Sequence, residues 1–333
     1  MKYLIGRKGN FYKANLHTHT TVSDGEFTPE EIKNLYKQEG YSIVAFTDHN
    51  VIVAHNELSD EKFLAITSVE MNINEENKDP KFAKTYHLNF YSKDKNKTVS
   101  AIFNDLPIGN AGKYVTDEMR ERKYNAKYSI ESINEIIRKM KEDGFLVTYN
   151  HPVWSLQDYS DYIGLKGLWG IEVYNSVCER HASLKDTDAP FINFLSTGTN
   201  IIPIAADDTH KRVSLFGGFS IIEAKNLEYN EILSAMEKGD IYSTQGPLIQ
   251  ELSIEKGIVS IKTSPVARII LNTERRWARN IAGENVTFAQ FDINDYLTEN
   301  EENGSSSTFI RITLEDDKGL KAWTRAYSVN ELK

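Results

Sequence analysis

One stretch of this chain decides its interpretation, and it reads Asn15-Leu16-His17-Thr18-His19-Thr20-Thr21-Val22-Ser23-Asp24-Gly25. Side chains alternate between the two faces of an extended strand, so His17 and His19 project from the same face and can reach one metal ion. A carboxylate, Asp24, follows five residues after His19 in a Ser-Asp-Gly turn. A lone His-x-His is weak evidence, so its meaning depends on the other potential ligands in the chain.

The composition is that of an ordinary globular protein. The chain has 333 residues, 40% hydrophobic and 26% charged, enough for one large domain or a large domain plus a small one. A net charge of -9 disfavours nucleic acid and acidic membranes as partners. The single cysteine, Cys178, excludes an intrachain disulfide. We expect a cytoplasmic protein, because no apolar run suits a signal peptide or a membrane span; a signal removed beforehand would leave no trace.

Predicted strands alternate with predicted helices along the first 250 residues. Thr28-Pro29-Glu30-Glu31 is a helix start with a capping box, and further helices are predicted at about 129–143 and 230–238. Roughly seven strands, joined by such helices, favour a parallel sheet with potential ligands at the carboxyl ends of its strands. The predicted strands are 41–46, 63–69, 86–91, 145–149, 170–174, 201–206 and 220–223.

Two regions depart from this alternation. Residues 93–128 are polar and rich in lysine, which predicts an insertion that is either a cap over a site or a mobile segment. After about residue 250, apolar and polar residues alternate and Asp317-Lys318-Gly319 resembles a hairpin turn. We therefore predict a barrel domain at 1–249 and a small antiparallel β domain at 250–333, with a flexible polar loop at 298–307.

Six of the eight histidines lie near predicted strand ends or in the His-x-His pair. The other two, His55 and His181, are interpreted as ordinary residues. Nine nitrogen and oxygen donors without a thiolate suit zinc, manganese or iron, and are too many for one ion. Two or three ions are expected, and Glu70 is the natural bridge between them. The nine predicted ligands are His17, His19, Asp24, His49, Glu70, His87, His151, Asp208 and His210.

With these residues in place, the chain resembles the polymerase and histidinol phosphatase (PHP) superfamily over residues 1 to about 250. The second half is similar to the stand-alone branch related to carbaryl hydrolase, in Ile241–Pro247 and in Ala322-Trp323-Thr324. The resemblance implies an α/β fold: a distorted (β/α)7 barrel with a small C-terminal antiparallel β-sandwich. The matching motifs are His17-x-His19, Asp24, Thr47-Asp48-His49, Glu70, His87, His151-Pro152 and Asp208-x-His210.

Carried over position by position, the resemblance implies a trinuclear centre. It assigns His17, His19, Glu70 and Asp208 to the first metal, Glu70, His87 and His151 to the second, and Asp24, His49 and His210 to the third. The third site has Asp24 where some family phosphatases have a histidine, so its occupancy stays open. The neighbouring carboxylates of Asp48 and Asp207 either orient a ligating imidazole or are solvated or capping groups.

The predicted function is hydrolysis of phosphate esters through a hydroxide that bridges the metals. Three divalent ions against three ligating carboxylates leave roughly +3 of local charge, which favours a small anionic substrate. Arg180, Lys211 and Arg212 are candidate phosphate contacts or, alternatively, solvated surface charges. Two other functions stay open: a carboxylic-ester or carbamate hydrolase using the same metals, and a non-catalytic metal-containing binding module.

Overall fold

The computed structural model describes residues 1–79, 81–184, 188–303 and 308–332, and its fold is mixed α/β. Within these residues the strands are β1 (Lys2–Ile5), β2 (Asn10–Asn15), β3 (Ile43–Phe46), β4 (Leu64–Asn74), β5 (Thr85–Ser92), β6 (Phe145–Tyr149), β7 (Gly170–Asn175), β8 (Ile202–Ala206), β9 (Phe219–Ala224), β10 (Ile241–Thr244), β11 (Ile249–Glu255), β12 (Ile258–Thr273), β13 (Ala278–Asp292), β14 (Phe309–Glu315), β15 (Lys321–Thr324) and β16 (Tyr327–Ser328).

Helices lie between many of these strands. They are α1 (Pro29–Gln38), α2 (Asp117–Glu121), α3 (Ile130–Glu142), α4 (Tyr159–Tyr162), α5 (Ser176–Arg180), α6 (Ala189–Ser196), α7 (Tyr229–Lys238), α8 (Asn294–Asn303) and α9 (Val329–Leu332). Short 3-10 turns occupy Asn56–Leu58, Ala111–Tyr114 and Arg212–Ser214. The helix predicted at about 129–143 is α3, and the one predicted at about 230–238 is α7.

Helix α1 shows how local sequence produces these elements. Thr28 accepts a hydrogen bond from the backbone of Glu31, whose side chain accepts one from the backbone of Thr28, so the predicted capping box is present. Pro29 occupies the first turn, where its missing N–H costs no intrahelical bond. Ile32 and Tyr36 are buried on the inner face, where they pack against β3.

The strands of the first 250 residues form a mixed sheet, and the predicted all-parallel sheet is wrong. Neighbouring strands follow the order β9-β2-β3-β4-β5-β6-β7-β8. The pairs β2–β3, β3–β4, β6–β7 and β7–β8 are parallel, whereas β5 is antiparallel to both β4 and β6. The described residues between β4 and β5 form turns rather than a crossover helix, so β5 returns beside β4 in the opposite direction.

The residues after 249 continue this sheet with antiparallel strands. Hydrogen bonds join β9 to β10, β10 to β15, and then β14, β12 and β11 in turn. The last of these pairs is β11 with β1, the first strand of the chain, in the register Lys2 opposite Ile254. The described part of the loop predicted at 298–307 is instead the end of helix α8, while residues 304–307 lie outside the described residues. The division at residue 250 stays a prediction.

Residues 93–128 pack onto the rest of the protein. Ile102, Phe103 and Met119 are buried, and Phe103 forms a β-bridge with Lys123. The backbone N–H of Asn110 donates to the carbonyl of Ser23 over 2.7 Å, next to the predicted ligand Asp24. The segment therefore contacts the loop that carries the predicted ligands.

Candidate metal centre

The nine predicted ligands come together because their strands end at one edge of the sheet. His17 and His19 follow β2, His49 follows β3, His151 follows β6, and Asp208 and His210 follow β8. Glu70 lies within β4, where it forms a parallel bridge with His49. His87 is near the start of β5, which runs in the opposite direction, so its register opposite Asn72 brings it to the same edge.

Glu70 lies at the centre of the cluster. Its carboxylate is buried and lies within 3.4 Å of a ring nitrogen from each of five histidines. Its two oxygens face different groups. Oε1 is 3.2, 3.1 and 3.4 Å from His17, His87 and His151, while Oε2 is 3.3 and 3.2 Å from His19 and His49. Glu70 therefore faces histidines that were assigned to all three predicted metals.

Two further carboxylates face the histidines on other sides. Oδ1 of Asp208 is 3.2 Å from His17 Nε2 and 3.1 Å from His19 Nε2, while Oδ2 is 3.7 Å from His151 Nε2. Oδ1 of Asp24 is 3.6 Å from His210 Nε2, and the nearest ring nitrogens of His19 and His49 lie slightly farther away. His19 therefore touches both the Asp208 group and the Asp24 group.

The donor atoms fit divalent metal ions in number, chemistry and spacing. Four subsets have donor atoms within 4.8 Å of one another. Donors at about 2.1 Å from a tetrahedral ion are separated by about 3.4 Å, close to the separations at Glu70 and Asp208. Three of the buried atoms that could bind a metal have no hydrogen-bond partner among the described residues: His49 Nδ1, His151 Nε2 and Asp208 Oδ1. The subsets are His19, Asp24, His49 and His210; His17, His19 and Asp208; His17, His151 and Glu172; and Glu70, His87 and His151.

Opposite charges in the cluster stabilise one another. Burial raises the pKa of Glu70, but the imidazoles of His87 and His17 outweigh burial and hold that pKa well below its usual range. Burial lowers the pKa of His19, yet the close carboxylates of Asp208 and Glu70 raise it to about 10. Burial and the neighbouring His19 hold the pKa of His49 well below its usual range. Without metal, the cluster therefore carries both carboxylates and imidazolium groups.

Glu172 belongs to the site, although the sequence analysis did not select it. It is buried within β7, and its Oε1 lies 2.6 Å from His17 Nδ1. Its Oε2 accepts from the backbone N–H of His151 over 3.1 Å and from the side chain of Asn175 over 3.0 Å. Glu172 thereby fixes the ring of His17 with Nε2 facing Glu70 and Asp208. The available signal was a single carboxylate within the apolar run of residues 170–174.

Two amide side chains hold the carboxylates in place. Asn150 Nδ2 donates to Glu70 Oε1 over 2.9 Å, and Asn175 Nδ2 donates to Asp208 Oδ2 over 3.1 Å. Both asparagines follow or end buried strands and are themselves buried. A carboxylate ligand that is also hydrogen-bonded to an amide loses rotational freedom, which preorganises the site.

Asp48 and Asp207 both accept hydrogen bonds from backbone N–H groups, which is the capping role given as one alternative for them. Asp48 accepts from the backbone N–H groups of Thr20 and Ser23 over 2.8 and 3.1 Å, so it shapes the turn that carries Asp24. Asp207 accepts from the Tyr36 hydroxyl and from the backbone N–H groups of residues 216–218. Among the described hydrogen bonds, neither carboxylate reaches an imidazole. Glu172, by contrast, contacts a ligand imidazole directly, that of His17.

Two of the predicted ligands have unfavourable backbone conformations. His151 has φ of 25° and Asp208 has φ of 51°, in the left-handed region that favours glycine. Such conformations cost about 1–3 kcal/mol each and persist where the surrounding structure enforces them, commonly at functional sites. The residues after His151 form turns, whereas Thr209, next to Asp208, forms a parallel bridge with Thr18.

A cavity of about 840 Å³ opens onto the cluster. Of the three basic residues predicted to contact substrate, only Lys211 lines it. Arg180 donates to the backbone carbonyl of Leu215, and the guanidinium of Arg212 lies over the ring of Phe27. His181, to which the sequence analysis gave no role, also lines the cavity. The lining residues are Asp24, His49, Glu70, Asn72, Asn74, Glu75, Lys78, Ala83, Thr85, His87, Ile108, His151, Trp154, Val177, His181, Ala182, Asp208, His210 and Lys211.

His55 lies apart from the cluster, as expected for an ordinary residue. Its ring packs 4.9 Å from the ring of Phe46, and its Nδ1 is 3.4 Å from the carboxylate of Glu57. In the part of the chain that the structure describes, no helix is long and apolar enough to cross a membrane.

Comparisons with known proteins give one family match. The family model described as PHP domain matches residues 15–191. A two-domain protein from Bacteroides vulgatus, described as containing a PHP-like metal-dependent phosphoesterase, is 16% identical with a TM-score of 0.48 over 98% of both chains. An amidohydrolase from Chromobacterium violaceum is 16% identical, with a TM-score of 0.43 over 68% of this chain and 96% of its own. A protein from Bifidobacterium adolescentis, described as a metal-dependent phosphoesterase, is 14% identical, with a TM-score of 0.37 over 63% and 90%. No curated protein matches the chain.

Proposed function

The chain belongs to the PHP domain family, and from this premise we propose that it is a metal-dependent hydrolase that cleaves phosphate esters. The observation that carries the proposal is the position of Glu70, one buried carboxylate with its two oxygens facing five imidazoles. A site that holds two ions side by side suits phosphoryl transfer, because the two ions stabilise both the attacking and the leaving oxygen.

The residues that would hold the metal ions are those whose donor atoms converge. Glu70, His17, His19 and Asp208 form one set, and Glu70 with His87 and His151 forms the next. Asp24, His49 and His210 form a third set, which His19 also approaches. Two to three ions, and hence a trinuclear centre, stay a prediction, as does their identity as zinc, manganese or iron.

The protein's own residues prepare the site before substrate arrives. When bound, divalent ions supply Lewis-acid polarisation of a phosphoryl oxygen and activation of water. Glu172 holds the His17 ring in one orientation, and Asn150 holds the Glu70 carboxylate. Burial of Glu70 and Asp208 excludes bulk water, which strengthens every charge interaction made there.

The cavity supports a small-molecule anionic substrate. Lys211 lines the cavity with the ligands, and no salt bridge involves its ammonium group among the described residues. We therefore keep Lys211 as a candidate phosphate contact and remove Arg180 and Arg212 from that role, because their described contacts lie outside the cavity. Ile108, from the 93–128 segment, lines the cavity too, which supports the interpretation of that segment as a cap.

Several finer expectations accompany this proposal. They are the distorted (β/α)7 barrel, the C-terminal β-sandwich, the relation to carbaryl hydrolase and a cytoplasmic location. The strand order from β9 to β8 supports a barrel, since β8 also packs close to β9 and β10. The antiparallel strands β11, β12, β14 and β15 support the small β domain.

The test is hydrolysis by protein loaded separately with zinc, manganese or iron. A panel should contain phosphate monoesters, phosphate diesters, carboxylic esters and a carbamate, with metal-stripped protein as the control. We expect metal-dependent release of inorganic phosphate or of the alcohol from at least one phosphate ester. Turnover confined to carboxylic esters or the carbamate would support the alternative hydrolase. Tight metal binding without any turnover would favour a binding module.

A further inference from the structure

A large aromatic side chain lies in the cavity directly beside the candidate metal ligands. Trp154 is 41% exposed and lines the cavity. Its ring centre is 5.3 Å from that of His87 and 5.2 Å from that of His151, both in edge-to-face contact. These two imidazoles belong to the set that also contains Glu70. An exposed indole thus borders the position where a phosphoryl group would bind.

Hydrogen bonds hold the backbone around Trp154 in place. The N–H of Ser155 donates to the carbonyl of His151 over 3.2 Å, and that of Gln157 donates to Pro152 over 3.0 Å. The Ser155 hydroxyl lies 3.3 Å from His151 Nδ1. Trp154 is therefore held within a hydrogen-bonded turn, three residues after a candidate ligand. The anchored backbone leaves only the side-chain torsions of Trp154 to be ordered when the ring contacts a ligand.

The rest of the cavity is larger and more apolar than phosphate requires. Its volume of about 840 Å³ lies in the range of sites that bind drug-sized molecules. Ile108, Val177 and Ala182 contribute apolar lining, and the buried ligands Glu70 and Asp208 line the same cavity. A phosphate group at the metal ligands would leave the remainder of its ester in the rest of the cavity, which Trp154 also lines.

We propose that Trp154 selects phosphate esters in which the phosphate is attached to a flat aromatic or heteroaromatic ring. This inference rests on the proposed phosphoesterase function and adds a substrate class and a specificity-determining residue to it. An aromatic pair contributes about 0.5–1.5 kcal/mol beyond the area it buries, which corresponds to about a 2- to 10-fold preference. A saturated ring of the same size buries similar area without that contribution.

The experiment compares two phosphonates that the enzyme does not hydrolyse. Dissociation constants of phenylphosphonate and cyclohexylphosphonate are measured by calorimetry on full-length, metal-loaded protein. Wild type, Trp154→Leu and Tyr159→Leu are measured side by side. Tyr159→Leu is the matched control, because Tyr159 is an exposed aromatic residue that does not line the cavity. Metal content is also measured for each protein. If Trp154 only supported the rings of His87 and His151, its replacement would lower metal content.

We expect wild type and Tyr159→Leu to bind phenylphosphonate about 2- to 10-fold more tightly than cyclohexylphosphonate. In Trp154→Leu that ratio should fall to about one, with metal content unchanged. Equal ratios in wild type and Trp154→Leu would overturn the inference. Loss of metal with equal weakening of both ligands would also overturn it, since Trp154 would then only support the histidines. The proposed function is judged separately, by turnover of phenyl phosphate in wild type.

Discussion

Replacing Glu70 with glutamine tests the central assignment of the metal centre. The amide keeps the size and shape of the side chain but removes one negative charge and one strong donor oxygen. The Glu70 carboxylate faces His17 and His19 of the first proposed set and His87 and His151 of the second, so the change affects both proposed ions at once. We expect Glu70→Gln to abolish hydrolysis and reduce metal content while the protein stays folded.

The structure gives the order of magnitude of this effect. Unit charges about 4 Å apart interact with about 4 kcal/mol at an effective dielectric constant of about 20. A metal ion bound by ligand atoms that lie about 3.4 Å from one another is less than about 4 Å from the Glu70 carboxylate. Partial compensation by the amide oxygen reduces the loss, so we expect the weaker ion to bind about 100- to 1,000-fold less tightly.

Elemental analysis after metal loading and dialysis measures the loss, together with turnover and circular dichroism. His181→Ala is the matched control, because His181 lines the same cavity but belongs to none of the four donor subsets. It should keep its full metal content and alter at most the KM. Wild-type metal content and turnover in Glu70→Gln would refute the bridging assignment, whereas a folded but inactive His181→Ala would place His181 in the reaction.

Four further changes test other parts of the structure. Asp24→Asn should lower turnover while most metal stays bound, because Asp24 faces only the third donor set; metal analysis and kinetics check this. Glu172→Ala should weaken metal binding about 10- to 100-fold by releasing the His17 ring, measured by competition with a chelator. Removing metal with a chelator should lower the Tm, since ions bind the folded site and stabilise it; recovery on adding metal is the check. Glu331→Gln should lower the free energy of unfolding by about 1 kcal/mol at pH 7. Burial raises the pKa of Glu331, but the hydrogen bond from Arg325 outweighs burial and lowers that pKa. The stability difference between the two proteins should therefore disappear as the pH falls below 4.5 towards the pKa of Glu331 in the folded protein. Urea unfolding at several pH values measures this difference.

Most of the cluster could be predicted from the sequence because its ligands follow short apolar strands. His151 and Asp208 come two residues after short apolar runs that indicate buried strands, so their position at an edge could be inferred. Glu172 could not be found in this way. It lies inside its strand, where a charged residue between apolar neighbours resembles an outward-facing position of an alternating strand. Only the folded structure shows that the Glu172 carboxylate contacts the ring of His17.

The fold was harder to infer where distant segments decide the structure. The reversal of β5 depends on turns among the described residues between β4 and β5; the pair Asp79-Pro80 favours a turn but does not show which strand the returning chain joins. Residues 298–303, the end of helix α8, were predicted as part of a loop because their sequence is polar. Tyr296 in that helix stacks on Trp277 with ring centres 5.5 Å apart, a contact that no local pattern indicates. Tertiary contacts of this kind override weak local preference.

The pairing of β1 with β11 has a consequence for the order in which the protein folds. Lys2 lies opposite Ile254, so the two strands emerge from the ribosome about 250 residues apart. During synthesis, Leu4 and Ile5 therefore stay without the partners that later bury them. Closing so long a loop slows folding. It also leaves β11 with an open edge in any chain shortened by its first eight residues, and such edges invite aggregation. A tag fused close to Met1 would act on a pairing that cannot form until residues 249–255 have been synthesised.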